Sequence, residues 1–368
     1  MTIATTEAEV SVAAAPAARP EAPRPGLLRL LNPTRCSALY LWLGFMVVFS
    51  FANDQYLTAT TTRLVFNEGV VTAILALAFL VPMIAGAYDL SIGAVMGLAL
   101  VITNWIGVET SLPAGVGALA ALAACGLVGA VSGFVVVKLK VHSFVATLGV
   151  SQLITGLVIL VSDNRQMTGA FSDSYKEFAR GEVLGIPILV VYLLVLAAVV
   201  WFVLEQTPLG RRLYATGGNA EAARLAGVRT DRLMWGSLVT SALLAGLAGV
   251  LFSMKVGTFS SSIGPGYLFP AVAAVFFGAS QFSGRPNVWG TVVAYFSLAF
   301  GIKGLQLVAG PGTVWIGPVF EGAALVLAVA LASQQGVLRA RRLARAEEEP
   351  SATTPAPASP ATTATTPT

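Results

Sequence analysis

The chain has 368 residues, of which 56% are hydrophobic and only 11% are charged. Soluble domains carry about 25% charged residues, so this composition excludes an ordinary soluble protein. The formal net charge of +4 does not indicate nucleic-acid binding, because the charges stand in clusters separated by long uncharged runs, a distribution that suits a membrane protein.

Both ends of the chain differ in composition from its middle. Residues 1–35 are rich in Ala, Pro, Thr and Glu, while 339–368 begin with a basic run and end in a Pro- and Thr-rich tail. Neither end offers an apolar face for packing, so 1–35 and the part after the basic run are predicted to be disordered tails. The segment 36–338 is predicted to form one transmembrane domain.

The uncharged runs predict transmembrane helices in chain order. They are 36–53, 69–88, 90–108, 110–137, 141–162, 183–204, 233–254 and 256–284, followed by 286–338, which only Lys303 and Glu321 interrupt. A bilayer core about 30 Å thick needs roughly 20 apolar residues per helix, and the last run is long enough for two. The prediction is an all-α polytopic membrane protein with about ten transmembrane helices, in which 256–267 is a loop. No segment has the alternating pattern of a membrane β-barrel.

The basic residues predict the orientation of these helices. With the amino terminus in the cytoplasm, sixteen of the 22 Lys and Arg residues fall on the cytoplasmic side and five on the outer side. Because basic residues mark the cytoplasmic side, both termini are predicted to be cytoplasmic. Of the longer connections, 162–185 then lies outside and 205–234 inside, and partners are expected mainly there.

Two glycine pairs predict close helix packing. Gly93 with Gly97 and Gly129 with Gly133 have the small-xxx-small spacing that lets membrane helices approach closely. This spacing favours packing within the chain, with a seam between two subunits as the alternative.

The inner connection contains signals for a short helix. Asn219, after Gly217 and Gly218, suits a helix N-cap, residues 220–226 are strong helix formers, and Gly227 stands where a helix would stop. A short helix with small side chains fits a cleft of another protein, with Glu221, Arg224 and Arg229 available for polar contacts. A solvated loop helix without a partner is the alternative.

This segment resembles a known family. Glu221-Ala222-Ala223, followed by Gly227, matches the E-A-A-x-x-x-G signature of ABC importer permeases in the form found in the ribose/xylose/galactose-type family. Further matches, in order over roughly residues 36–335, are Asp89-Leu90-Ser91-Ile92-Gly93, Ser143-Phe144-Val145-Ala146-Thr147-Leu148-Gly149, Gly264-x-Gly266-Tyr267 and Gly290-Thr291. The chain departs from the family pattern at Gly86-Ala87-Tyr88, Gly278-Ala279, Lys303 and Glu321, which bears on the substrate more than on the family.

The resemblance implies a transmembrane permease subunit of a bacterial ABC importer in the inner membrane. It would move a monosaccharide delivered by an external sugar-binding protein, with a second permease subunit, most simply an identical copy, beside it. The inner helix would couple to a cytoplasmic ATP-binding subunit. The coupling residues implied are Gly217, Gly218, Asn219, Glu221, Ala222, Ala223, Arg224 and Gly227.

The residues themselves indicate no chemistry of their own. The chain has no Gly-x-x-x-x-Gly-Lys-[Ser/Thr] loop, so ATP and Mg²⁺ are expected on the partner subunit and no cofactor on this chain. A single histidine, His142, and two isolated cysteines give no metal site and no disulfide framework. We expect no catalytic residue and no nucleic-acid partner. An ion-coupled secondary transporter of a small polar solute is the alternative.

Several polar residues in or between the predicted helices are candidates for function. Asp89 and Ser91 lie in a turn expected at the cytoplasmic face, where Asp89 either caps the next helix or contacts the ATP-binding subunit. Lys303 and Glu321 are expected to pair or to line a water-filled path, because lone charges are costly in a membrane; snorkelling of Lys303 is the alternative. Uncharged residues suited to a sugar path, or to bonds between helices, are Asn104, Gln152, Thr155, Tyr295 and Gln306.

Overall fold

A computed structural model describes residues 37–110, 112–168, 171, 173–281 and 285–330. The tails predicted to be disordered, 1–35 and 339–368, lie outside the described residues, as does the predicted end of the transmembrane domain at 338. The helices are α1 (Ser37–Ala52), α2 (Ala59–Ile84), α3 (Ile92–Glu109), α4 (Ala114–Val137), α5 (Ser143–Ser162), α6 (Asp173–Arg180), α7 (Ile188–Trp201), α8 (Pro208–Gly218), α9 (Ala220–Leu225), α10 (Thr230–Val256), α11 (Ile263–Gly266), α12 (Leu268–Gln281), α13 (Val288–Ala309) and α14 (Ile316–Ala330). A π-helical turn, Phe202–Gln206, continues α7.

Within the described part of the chain, seven helices are long and apolar enough to cross a membrane: α2, α3, α4, α5, α7 with its π-helical turn, α10 and α13. Three shorter apolar helices accompany them, namely α1, α14 and the combined α11–α12 segment. The predicted class, an all-α polytopic membrane protein, is confirmed. The count of ten membrane crossings and the cytoplasmic position of both termini stay predictions.

Short strands occur in the described connections between helices. β1 (Met167–Thr168) pairs antiparallel with β4 (Thr258–Phe259), and β2 (Glu182–Val183) pairs with β3 (Ile186–Pro187). The first pairing ties the connection predicted to be external to the chain that follows α10. The hydroxyl groups of Tyr175, in α6, and Ser253, in α10, also lie 3.1 Å apart.

Two predicted helix boundaries were wrong because these helices continue through charged residues, and one predicted loop contains a short helix. α2 begins ten residues before the predicted start at 69, so it contains Arg63 and Glu68. α10 begins at Thr230, inside the predicted 205–234 loop. The predicted loop 256–267 contains the one-turn helix α11. A helix can continue through charges where these face water or a polar cavity.

α2 and α10 form the centre of the helix assembly. The most apolar stretch of α2 is 78% buried and that of α10 is 72% buried, whereas that of α5 is only 22% buried. α10 packs on α2, α3 and α4, while α13 packs on α1, α2 and α12. The apolar core therefore lies around α2 and α10, and α5 presents most of its surface outward.

Glycines set the closest helix contacts. A Cβ on Gly264, in α11, would overlap the carbonyl oxygen of Gly93 and lie 2.8 Å from the Cα of Gly97. A Cβ on Gly129 would lie 2.8 Å from the Cα of Val239, and Gly133 lies directly under the Trp235 ring. Both glycine pairs therefore serve packing within the chain, as predicted.

Substituting Gly264 by Ala is expected to destabilise the helix packing, because its methyl group would meet backbone atoms that cannot move aside. We expect a loss of about 1–3 kcal/mol, seen as a melting temperature several degrees lower for the purified protein in detergent. Gly266→Ala is the matched control, since a Cβ there meets nothing within 4 Å. Equal melting temperatures for the two variants would contradict the assigned contact.

Candidate functional site

The short helix α9, in the connection predicted to be cytoplasmic, forms as its sequence predicts. Asn219 is the N-cap, and its Oδ1 accepts hydrogen bonds from the backbone N–H groups of Glu221 (3.1 Å) and Ala222 (3.0 Å). At the other end, the N–H of Val228 donates to the carbonyl of Ala223 at 3.0 Å, and Gly227 has a φ of 82°. Such a left-handed residue after the last turn is the usual glycine stop. The helix is therefore fixed by its own caps.

α9 divides into a face packed on the protein and a face open to solvent. Ala223 is buried, whereas the side chain of Leu225 is 86% exposed. Glu221, Ala222 and Arg224 are also exposed. An exposed leucine beside small side chains is an apolar contact surface for another protein. The family signature does not include Leu225, and only its helical position, two residues after the buried Ala223, distinguishes it.

A polar cluster holds α8, the helix before α9, against the rest of the protein. Arg285 Nη2 lies 2.7 Å from Glu205 Oε2, and its guanidinium stands 4.8 Å from the centre of the Tyr214 ring. The Tyr214 hydroxyl lies 3.0 Å from Glu205 Oε1 and 2.8 Å from the Pro286 carbonyl, to either of which it can donate its one proton. Burial, followed by the nearby Glu205 charge, raises the pKa of Tyr214, so this proton stays in place.

Gly217 brings the end of α8 onto the turn between α2 and α3. A Cβ on Gly217 would overlap the carbonyl oxygen of Ile84 and lie 3.0 Å from the backbone nitrogen of Gly86. Gly86 has a φ of 86°, a conformation that residues other than glycine rarely adopt. The inner connection thus meets this turn through direct backbone contact.

The turn that carries Asp89 is recessed into the helix assembly. Val95, early in α3, has its carbonyl 3.6 Å from the Sγ of Cys125, which lies midway along α4. Asp89 and Ser91 are both buried, each only 1% exposed. Buried in this way, the two side chains are not available for direct contact with another subunit, whereas the position of the turn near the cytoplasmic face stays a prediction.

Side chains satisfy the backbone of the recessed turn. Asp89 Oδ1 accepts from the N–H of Ser91 at 3.0 Å and from its hydroxyl at 2.5 Å, which is the Asx arrangement leading into a helix. Ser143 Oγ accepts from the N–H of Tyr88, and Thr147 Oγ1 accepts from the N–H of Leu90, each at 3.0 Å. Irregular backbone inside a membrane protein requires such partners. Asp89 therefore closes a turn onto Ser91, the N-cap residue of α3, and no described side chain accepts a hydrogen bond from the first backbone N–H groups of that helix.

A polar cavity of about 530 Å³ lies among α2, α10, α12, α13 and α14. The predicted residues Lys303, Glu321 and Gln306 all line it. Among the described residues, no ion pair within 4.0 Å joins Lys303 to Glu321, so the predicted pairing is wrong. The two residues line the same cavity without contacting each other as an ion pair. The predicted Tyr295 lines it too, together with the polar residues Glu68, Thr72, Lys255 and Tyr267.

Comparison with known proteins identifies the family. A family model described as "Branched-chain amino acid transport system / permease component" matches residues 63–330. The chain belongs to this family. The ribose import permease protein of Haemophilus influenzae is 30% identical to this permease over 267 residues, which cover 71% of this chain and 82% of the relative. No solved structure gives a significant match.

Two further relatives are named after other solutes. The autoinducer 2 import system permease protein of Photorhabdus laumondii is 31% identical over 288 residues, covering 77% of this permease and 86% of the relative. The D-allose transport system permease protein of Escherichia coli is 29% identical over 248 residues, covering 66% and 75%. The resemblance to sugar importer permeases, predicted from the motifs, is confirmed.

The permease does not bring all the predicted path residues together. Asn104, in α3, is fully buried, and its Nδ2 donates to the Leu100 carbonyl of its own helix at 2.8 Å. Gln152 lies on the exposed face of α5. Thr155, in the same helix, donates to the Ser151 carbonyl at 2.8 Å. These three residues therefore stand apart from the cavity.

Two charged cavity residues were missed from the sequence. Glu68 and Lys255 stand at the ends of uncharged runs and were assigned to connections, whereas both lie in helices and line the cavity. Lys255 Nζ donates to the Asn67 carbonyl at 2.9 Å. In the sequence, helical spacing places Glu68 four residues before Thr72 and so on the same face of α2.

Proposed function

We propose that this permease is the membrane-spanning subunit of a bacterial ABC importer that carries a monosaccharide across the inner membrane. An external binding protein delivers the sugar, and a separate cytoplasmic subunit binds ATP and Mg²⁺ and hydrolyses the nucleotide. This chain then holds no cofactor and performs no catalysis. The observation that carries the proposal is the capped helix α9 with its exposed leucine, in a chain related to ribose and D-allose permeases.

Docking of the ATP-binding subunit on α9 accounts for the rigid mounting of this helix. The Asn219 cap and the Gly227 stop fix its two ends, and the Glu205–Arg285–Tyr214 cluster fixes α8 beside it. A rigid contact transmits a displacement of the partner instead of absorbing it. The contact between Gly217 and Gly86 gives that displacement a direct route to the recessed turn.

The polar cavity lined by Lys303 and Glu321 is the proposed place of solute contact. Lys303, Glu321, Gln306 and the two cavity tyrosines offer donors and acceptors of both charge signs, and a polyhydroxylated solute uses both. The aromatic rings of Tyr267 and Tyr295 supply apolar surfaces on which the C–H face of a sugar ring can stack. The family model's description names branched-chain amino acids, but the sugar relatives favour a monosaccharide.

A second copy of the permease is the proposed neighbour of α5. This helix carries the exposed Gln152, and a Cβ on Gly149 or Gly156 would meet nothing within 4 Å. An amide facing lipid lacks hydrogen-bond partners, whereas the same face on a two-fold axis would find them on an identical copy. The low burial of α5 within one chain suits this arrangement.

An ion-coupled secondary transporter is the second candidate, because charged residues that line a membrane cavity are typical of such proteins. Uptake by that route would stop when a protonophore and a sodium ionophore collapse the ion gradients. Uptake by the proposed importer would continue for as long as ATP is supplied.

Replacing the exposed leucine of α9 by a charged residue is expected to release the ATP-binding subunit. Leu225→Asp places a carboxylate in the proposed apolar contact, while folding is preserved because the side chain is 86% exposed. Co-expression with the ATP-binding subunit and affinity purification of the permease measures retention, which we expect to fall roughly tenfold or more. Leu184→Asp, at a leucine that is 98% exposed in the external connection, is the control. Equal retention by both variants would refute docking on α9.

Removing charge from the cavity is expected to reduce transport without loss of folding. Lys303→Met and Glu321→Gln each remove a charged hydrogen-bonding group, which is typically worth about 1.5–3 kcal/mol. We expect uptake of radiolabelled ribose into membrane vesicles to fall by about tenfold or more for each variant. Glu177→Gln, at an exposed carboxylate of α6, is the control for charge. Unchanged uptake in both cavity variants would exclude solute contact there and leave docking at α9 untouched.

A further inference from the structure

A basic pocket of about 730 Å³ lies beside α9 but is separate from its exposed apolar face. Four cations line it: Lys138 at the end of α4, Arg224 on α9, Arg229 in the following connection and Arg232 in α10. Among the described residues, none of the four forms an ion pair within 4.0 Å. The one carboxylate in the lining, Asp231, instead lies 4.0 Å from Lys140.

The other wall of the basic pocket is apolar and continues along the exposed face of α4. Phe134 and Trp235, which are 53% and 42% exposed, line the pocket with Val137. Leu127 and Val131 are also exposed, and with Phe134 they lie on one face of α4 because they are spaced by four and three residues. From Lys138 to Leu127 this track extends over about 16 Å along α4, a helix long and apolar enough to cross a membrane.

Trp235 is fixed at the boundary between the two walls. Its Nε1 donates to the Ala130 carbonyl at 3.1 Å, and its ring lies against Gly133, where a Cβ would come within 2.8 Å of the ring nitrogen. Tryptophan at this level is typical of the interface between lipid and water. The pocket thus has cations at the height of headgroups and a preformed apolar path at the height of acyl chains.

We infer that the basic pocket binds an anionic phospholipid, whose phosphate is held by the four cations and whose acyl chain lies along Leu127, Val131 and Phe134. Arginine and lysine are the residues that bind phosphate oxygens, and basic pockets between helices on the cytoplasmic side are suited to anionic headgroups. A free phosphate ion would use the cations but not the apolar track. Because Arg224 belongs to α9, the bound lipid would also tie the coupling helix to the membrane surface.

Lipid selectivity of the purified full-length permease tests the inference. The protein is equilibrated in mixed micelles of equimolar phosphatidylglycerol and phosphatidylcholine, and retained lipid is counted by native mass spectrometry. We expect phosphatidylglycerol to be retained with roughly tenfold preference. The Lys138→Gln/Arg232→Gln variant is expected to lose most of this preference, whereas Arg211→Gln/Arg212→Gln keeps it, since that pair is exposed outside the pocket and carries the same charge.

Two further measurements separate lipid from other occupants. Glycerol 1-phosphate carries the headgroup charge without acyl chains. If it displaces phosphatidylglycerol when both are present at equal concentrations, the pocket is a phosphate site and the inference is overturned. Equal retention of both lipids, or unchanged preference in Lys138→Gln/Arg232→Gln, would also overturn it. Should that variant fail to fold, Phe134→Ser, which removes only apolar contact, is expected to weaken lipid retention and to leave glycerol 1-phosphate binding unchanged; retention equal to wild type would contradict the acyl-chain path. Lipid binding here does not depend on which solute is carried.

Discussion

The recessed turn between α2 and α3 is the constraint on which the rest of the structure depends. It interrupts regular helix inside the assembly, so each backbone N–H group there needs a partner that is not water. Ser143 and Thr147 supply two of these partners from the start of α5, and Asp89 supplies a third from within the turn. Without them, buried unpaired groups would cost about 1–3 kcal/mol each.

Direct backbone contacts connect this turn to both candidate sites. On the side predicted to be cytoplasmic, Gly217 places the end of α8 against Ile84 and Gly86, and α9 follows immediately. On the other side, Gly264 packs against Gly93 and Gly97, three residues before the cavity tyrosine Tyr267. Close-packed backbone transmits a shift with little loss. A displacement at α9 therefore has a continuous path of contacts to the cavity wall, and this path is how we propose that ATP hydrolysis opens and closes the solute route.

The sequence predicts those features that depend on local composition or spacing. Uncharged runs indicate the membrane helices, and Asn219 with Gly227 delimits α9, because length and capping are local properties. The buried turn at Asp89 depends on Ser143 and Thr147, which lie more than fifty residues later in the chain, and no periodicity predicts such contacts. Glu68 and Lys255 were missed for the related reason that a charge was read as the end of a helix. Ala223 is buried and Leu225 is exposed because of how α9 packs on the rest of the protein, and local sequence does not determine that packing.

Transport by a reconstituted importer with Gly217→Ala tests the central claim most directly. The variant adds one methyl group at the contact with Ile84 and Gly86, while Gly218→Ala adds the same group where nothing lies within 4 Å. Both are assembled with the ATP-binding subunit in proteoliposomes, and ATP-dependent uptake of ribose is measured with the external binding protein present. The account predicts that Gly217→Ala keeps the ATP-binding subunit but loses uptake by about tenfold or more, which corresponds to about 1.4 kcal/mol, while Gly218→Ala resembles wild type. Equal uptake by the two variants, with the ATP-binding subunit bound in each, would contradict the claim that the recessed turn connects α9 to the cavity.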